Sequence, residues 1–299
     1  MTKKKRWGKK YEDTRNWKTV NEKLIKRGEY YINPRFIETW LEEIEKLNLC
    51  KVGQPYLYPN SLIEFLAVLH AKGFDYRGLE GIARAFSKRF NNFPVICFSQ
   101  IRRRILQLPL NFTAKGNNLV VGIDGSGMKV SNYGDWMRHM WRVRRGWIKV
   151  VILGDIDGNI VDIRIGNENL DERAAGRGMV RINKENIKKV LADGLHDCED
   201  TFDLLDTLGK ESGIKIRDNA SGNGFGARPR EVRLYKEIGY KKWAKKKEYG
   251  KRWLATEGIF SAVKRIMSEH VTSRKKRHAY HEAKLKFWAY QKVHDAQCK

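Results

Sequence analysis

Three acids in this 299-residue chain stand where chemistry could be done: Asp124, Asp193 and Glu257. Asp124 closes the apolar run "NLVVGID", Asp193 closes "KVLAD" ahead of Gly194, and Glu257 starts the helical-looking "EGIFSAVKR". A carboxylate is a poor ending for a buried strand but a good ligand for a rigid rim to hold. Acids at close range raise one another's pKa and oppose folding, and a divalent cation relieves that repulsion. Mg2+ takes oxygen ligands, typically one or two carboxylates plus substrate phosphates. Two such ions about 3.5–4 Å apart activate a water and stabilise the leaving oxygen in phosphodiester cleavage. Asp124, Asp193 and Glu257 are therefore the expected ligands of two Mg2+ ions, with Mn2+ as a substitute. Asp197 is the alternative to Asp193. Asp155 and Asp157 flank a turn signal and read as turn residues, and Asp135, Glu168 and Asp171 are further candidates.

The charge points to the same substrate class. Sixty Lys and Arg against 35 Asp and Glu leave +25, an excess that suits a polyanion such as DNA. The chain has no apolar run of transmembrane length, and its basic start "MTKKKRWGKKYED" is followed by no apolar stretch. A cytoplasmic, nucleoid-associated protein with no membrane partner is expected. Cys50, Cys97, Cys198 and Cys298 lie far apart, which argues against a zinc finger or a disulfide scaffold.

The elements that must position the acids fall into two regions. Residues 1–30 read as a basic arm and 31–115 as a helical DNA-binding domain. Within it, "NPRFIETWLEEIEKLNL" is a helix with Asn33 as cap and Pro34 as first residue. "NSLIEFLAVLHA" has Asn60 or Ser61 as cap and an apolar face of Leu62, Ile63, Leu66 and Leu69. "YRGLEGIARAFSKRF" and "FSQIRRRILQL", either side of a loop holding Pro94, suit a helix-turn-helix that presents Arg102, Arg103 and Arg104 to a groove. Residues 116–299 then read as a strand, a hairpin turning at Asp157-Gly158, helix, strand "KVLAD", helix, strand "IKIRD", a glycine-rich basic loop, and closing helices. That order fits an α/β ribonuclease-H-like fold, a mixed sheet flanked by helices. "KKWAKKKEYGKRW" offers Lys245, Lys246, Lys247 and Arg252 to phosphates, and Trp243, Tyr249 and Trp253 to exposed bases. "DWMRHMWRVRRGW" mixes Trp136, Trp141 and Trp147 with Arg138, Arg142, Arg144 and Arg145.

The stretches "VVGIDGSGMKVSNYGDW", "RRGWIKVVILGDI", "VLADGLHD", "IRDNA" and "YGKRWLATEGIFSAVKR", with the helical leader, resemble DDE transposases of prokaryotic insertion sequences, most nearly insertion sequence family five. The resemblance covers most of the chain and implies Asp124, Asp193 and Glu257 as the catalytic triad. It also implies a dimer or larger assembly bridging two DNA ends, with terminal inverted repeats and target DNA as partners. Related transposases carry Y-x2-R-x3-E-x6-K around the third acid. Here Tyr249 and Arg252 keep the first spacing and Glu257 and Lys264 the last, but one extra residue separates Arg252 from Glu257. Lys264, two helical turns beyond Glu257, falls on the same face and is a candidate phosphate contact. The rival readings are a ribonuclease-H-like nuclease or junction resolvase without strand transfer, and a non-catalytic DNA-binding protein from a decayed element.

Overall fold

The computed structural model describes residues 15–89, 95–130, 134–142 and 146–298, with only the backbone of 134–137. The start of the expected basic arm, Pro94, Arg144, Arg145 and the side chains of Asp135 and Trp136 lie outside it.

Helices come first. α1 (Trp17–Ile32) is capped by Asn16, whose side chain accepts the Thr19 N–H, and it packs on the C-terminal helix. From residue 17 onward the expected arm is thus a docked helix. The helix expected from Asn33 is split into a one-turn 3-10 helix (Arg35–Ile37) and α2 (Trp40–Asn48); its N-cap is Pro34 rather than Asn33, whose side chain accepts the Arg35 N–H. α3 (Asn60–Ala71) buries Leu62, Ile63, Leu66 and Leu69 as its spacing predicts. Neither Asn60 nor Ser61 is its cap: Pro59 holds that position, and Glu43 of α2 accepts the Ser61 N–H. α4 (Tyr76–Arg89) and α5 (Phe98–Gln107) are the two basic helices.

The sheet follows. Its elements are β1 (Leu119–Val130), α6 (Gly134–Trp141), β2 (Trp147–Asp155), β3 (Ile160–Gly166), α7 (Glu172–Ile182), β4 (Ile187–Ala192), α8 (Glu199–Thr207), β5 (Glu211–Ile214), α9 (Ala227–Lys246), α10 (Lys251–Ala255), α11 (Glu257–Met267), β6 (His270–Val271) and α12 (Lys276–Cys298). The strand order is β3-β2-β1-β4-β5, and β6 pairs with the far end of β1. β2 runs antiparallel to both β1 and β3, whereas β4 and β5 run parallel to β1. Helices cover both faces, and this is the ribonuclease-H-like arrangement. Two boundaries differ from expectation. The last strand ends at Ile214 rather than spanning "IKIRD", with only the Lys215 N–H continuing the ladder to Ala192. The first strand does not end on Asp124. It continues to Val130 because β2 stays paired through Lys129↔Trp147, while β4 leaves after Ile123↔Ala192.

Alternation along the strands sends side chains to two cores. Val121, Ile123, Val190 and Ala192 pack with α7, α8 and α9; Met128, Ile148, Val150 and Ile152 pack with α11 and α12. α12 serves two cores at once. Its Ala279, Ala283 and Phe287 face the sheet, and its Leu285, Trp288 and Val293 join the core of α3, α4 and α5. Buried Lys286 secures the joint by donating to the carbonyls of Met267 (2.6 Å) and Ala71 (3.4 Å), at the ends of α11 and α3. Helix ends leave such carbonyls unpaired, so one ammonium ties the leader to the sheet domain.

Candidate active site

The register of β1 and β4 creates the rim. Ile123 and Ala192 are the last paired residues of the two parallel strands, and both point into the core with α7 and α8. The next residues, Asp124 and Asp193, therefore point to the opposite face, on backbones roughly 5 Å apart. One accepts the N–H of Gly125 (2.9 Å) and the other that of Leu195 (2.9 Å). The second bond makes Asp193 the cap of a one-turn 3-10 helix (Gly194–His196).

The third acid arrives from above. α10 and α11 meet at Thr256, whose φ of −133° and ψ of −74° break the helix, and whose hydroxyl donates to the Arg252 carbonyl. Two glycines allow the break to sit directly on the sheet. A Cβ at Gly122 would lie 2.7 Å from Thr256 Cγ2, and one at Gly154, its partner across β1 and β2, 2.2 Å from the Ala255 carbonyl oxygen. Glu257, first residue of α11, and Arg252 are thereby placed over Asp124. The Arg252 guanidinium reaches Asp124 Oδ2 at 3.3 Å and Glu257 Oε1 at 2.6 Å.

Electrostatics mark Asp124 apart. Burial pushes its carboxyl up to about 6, with Glu172 and Asp193 adding to the rise and Arg252 and the Gly125 N–H opposing it. Glu172 lies behind the site: a Cβ at Gly125 would lie 2.3 Å from its carboxylate, which pairs with Lys149 at 3.1 Å. Beside it, His196 is fully buried with neither ring nitrogen hydrogen-bonded, and burial lowers its pKa to about 4.

Among the described residues no three Asp, Glu, His or Cys side chains are grouped to hold a metal. The Arg252 guanidinium instead pairs with both Asp124 and Glu257. The donor set nevertheless fits a hard divalent cation: it is all carboxylate oxygen, and two of its members already converge on a positive charge.

The remaining candidates sort clearly. Asp155 builds the hairpin turn by accepting the Asp157 N–H (2.9 Å) and the N–H and side-chain amide of Asn159. Asp171 caps α7. Asp197 is buried, accepting the Arg217 N–H (2.9 Å) and pairing with Arg228 at 2.7 Å. Glu168 lies in the segment between β3 and α7. Lys264 reaches Ser126 Oγ at 2.9 Å, two residues along β1 from Asp124 and on the same face. Lys245 and Lys246 are exposed, whereas Lys247 is paired with Glu231 at 2.8 Å. Trp243 is not available to bases: it is fully buried against Tyr235, Tyr240 and Tyr249. Trp253 is half exposed, and Arg252 lies 5.8 Å over the Tyr249 ring. Trp141 is buried and donates to the Arg274 carbonyl, while Trp147 is partly exposed. Arg102 and Arg103 are exposed on α5, with Arg102 near His278 (3.2 Å); Arg104 packs over Tyr56 and donates to Asn60. Sequence reasoning missed Gly122, Gly154, Glu172 and Arg217. The pairing of Gly122 with Gly154 across two apolar strands was the readable signal, since such a pair marks a close backbone approach.

Two family models, each describing a transposase DDE domain, match residues 25–133 and 116–291. No curated protein matches the chain. A solved structure of the piggyBac transposase synaptic complex with hairpin DNA is similar at a TM-score of 0.39 and 8% identity, covering 92% of this chain and 75% of that one. No helix among the described residues is long and apolar enough to cross a membrane.

Proposed function

The chain belongs to the transposase DDE-domain family, and from that premise we propose that it is the transposase of a prokaryotic insertion sequence of the family-five group, working on the nucleoid. It binds the terminal inverted repeats of its own element, cuts a strand there, and joins the freed 3′-hydroxyl to target DNA as a dimer or larger assembly. The observation that carries this reading is the β1–β4 register, which makes Asp124 and Asp193 neighbours at one rim with Glu257 over them.

Asp124, Asp193 and Glu257 are the groups that would hold a divalent cation, Mg2+ or Mn2+. When bound, the cation supplies Lewis acidity at the scissile phosphate and a more acidic water. The chain's own side chains orient and neutralise. Lys264, held at Ser126, is placed to take a non-bridging phosphate oxygen. Lys215 and Arg217 line the same pocket as Asp193 and Arg252 and draw the strand toward the acids. Arg252 pairs with both Asp124 and Glu257 and would have to give up at least one of them to a bound cation. Arg102 and Arg103 on α5, and Lys245 and Lys246 at the end of α9, extend the basic path. Both strand cleavage and strand transfer are in-line displacements, so one site serves both without a covalent enzyme intermediate.

The test is a supercoiled plasmid carrying the element's ends, incubated with Mg2+ and either the parent or Asp193→Asn. The parent yields nicked and joined products. The variant yields neither while still binding the ends. Cleavage that survives the substitution removes Asp193 from the site, nicking without joining favours a nuclease, and binding without any cleavage favours a decayed element.

A further inference from the structure

A run of basic residues, Arg274 to His278, stands at the start of α12 and has no part in the site described above. Arg274, Lys275, Lys276 and Arg277 are exposed, yet the chain that carries them is not slack. Buried Glu282 accepts the N–H groups of Thr272 (2.9 Å) and Ser273 (2.9 Å), and Trp141 donates to the Arg274 carbonyl. β6 roots the segment on β1, pairing His270 with Lys129 and Val271 with Val130, roughly 20 Å along that strand from Asp124. Against the run lies α5. Its Arg102 donates to Nδ1 of His278 at 3.2 Å, across 176 residues of sequence, so leader and sheet domain meet in one basic surface. Partial burial, then the neighbouring Arg102, Lys275 and Arg277, hold the His278 imidazole below its usual pKa, which registers the positive field there.

This charge is uncompensated. Among the described residues no acid pairs with Arg102, Arg103, Lys275, Lys276 or Arg277; Lys276 lies 5.9 Å over the Tyr280 ring. Cations elsewhere do find acids: Lys184 with Glu185, Lys188 with Glu211, Arg230 with Asp206. α12 has no acid in its first turn, so the run also faces the positive end of the helix dipole. Like charges massed on a rigid base oppose folding unless a polyanion completes the surface, and duplex DNA carries one negative charge per about 1.7 Å of its axis. Resting on the DNA-processing reading above, we propose that α5 and the start of α12 form a single seat for the phosphate backbone of duplex DNA, in which Lys275, Lys276 and Arg277 take phosphates of the same duplex that Arg102 and Arg103 contact. The leader and the sheet domain then grip one duplex between them, at the far end of the strand that carries Asp124. Phosphates suit this surface better than a protein partner does, since interface cores are depleted of charge and this surface is guanidinium and ammonium.

The test uses the full chain in a metal-chelating buffer, so that binding is read without cleavage. Fluorescence anisotropy follows two duplexes of unrelated sequence across a salt series. The parent binds both. Lys275→Gln, Lys276→Gln and Arg277→Gln combined weaken binding to both equally and make the log–log salt slope shallower by about 3, one for each lost phosphate contact. Adding Arg102→Gln removes about one more. The thermal midpoint does not fall, because the substitutions relieve repulsion and break no ion pair. Lys184→Gln, Lys188→Gln and Arg230→Gln combined remove the same charge where each cation already has an acid, and leave the slope unchanged. A slope that the first set leaves intact, an equal loss from the second set, or a loss confined to one sequence overturns the seat while the DNA reading stands. A parent that binds neither duplex overturns the DNA reading itself.

Discussion

Two groups of carboxylates sit at the edges of the same sheet and live in opposite states. Asp155 and Asp171 are saturated by N–H groups within their own turn and cap, and Asp197 by the Arg217 N–H and the Arg228 guanidinium deep in the fold. Asp124 and Glu257 share a guanidinium from another element, and Asp193 gives one oxygen to its own cap. The difference separates acids committed to structure from those left as candidate ligands in this fold. A carboxylate whose oxygens are spent on nearby backbone has nothing left for a ligand. One whose partner is a flexible side chain can exchange it for another cation.

The largest effect that follows is on activity. Glu257→Gln should lower plasmid cleavage about a thousandfold or more, since metal-assisted charge stabilisation is worth several kcal/mol, with little change in the thermal midpoint. Asp155→Asn should do the reverse, melting earlier with cleavage per folded molecule intact. If the two variants behave alike, the division between them fails. Next comes Asp197→Ala. It strands the Arg228 guanidinium and frees both feet of the β5–α9 loop, and breaking a buried pair in this way costs about 3 kcal/mol. Chemical denaturation reads it directly; a loss under about 1 kcal/mol would return Asp197 to the list of possible ligands.

The fold was largely legible because its signals are local. Apolar periodicity marked α3, the run up to Asp124 marked β1, and Asp157-Gly158 marked the hairpin. The strand boundaries were not, since they depend on a partner: β1 outlasts Asp124 only because β2 continues where β4 stops. Trp243 was misread for a related reason. A tryptophan among lysines looks like a base-stacking residue until Tyr235 and Tyr249 close around it. The candidate acids could be chosen by position, but the arginine that joins two of them could not, because the break at Thr256 and the glycines beneath it are long-range facts.

Asp124 also carries a stability cost, which pH should expose. The Asp124 carboxyl rises from 3.8 to about 6 on folding, chiefly by burial. Below about pH 4 it is protonated in both states and costs nothing. Between about 4 and 6 the unfolded chain ionises first, so stability falls as pH rises, and above 6 the deficit is constant at about 3 kcal/mol. Asp124→Asn should therefore be as stable as the parent at pH 4 and about 2–3 kcal/mol more stable at pH 8, while being inactive. A variant no more stable than the parent at pH 8 would show that Arg252 fully offsets the burial.

Arg252→Gln sharpens the comparison at its finest point. Removing the guanidinium leaves Asp124 and Glu257 facing each other without a neutralising partner, so the variant should lose about 1–2 kcal/mol in chelating buffer. The same vacancy should make it the better ion binder. A cation that binds only the folded state stabilises it by mass action, so Mn2+ should raise the melting midpoint of Arg252→Gln by a few degrees more than it raises the parent's, in the absence of DNA. If Mn2+ moves both midpoints equally, the guanidinium and the cation do not compete for one place, and the distinction drawn between spent and exchangeable carboxylates loses its clearest case.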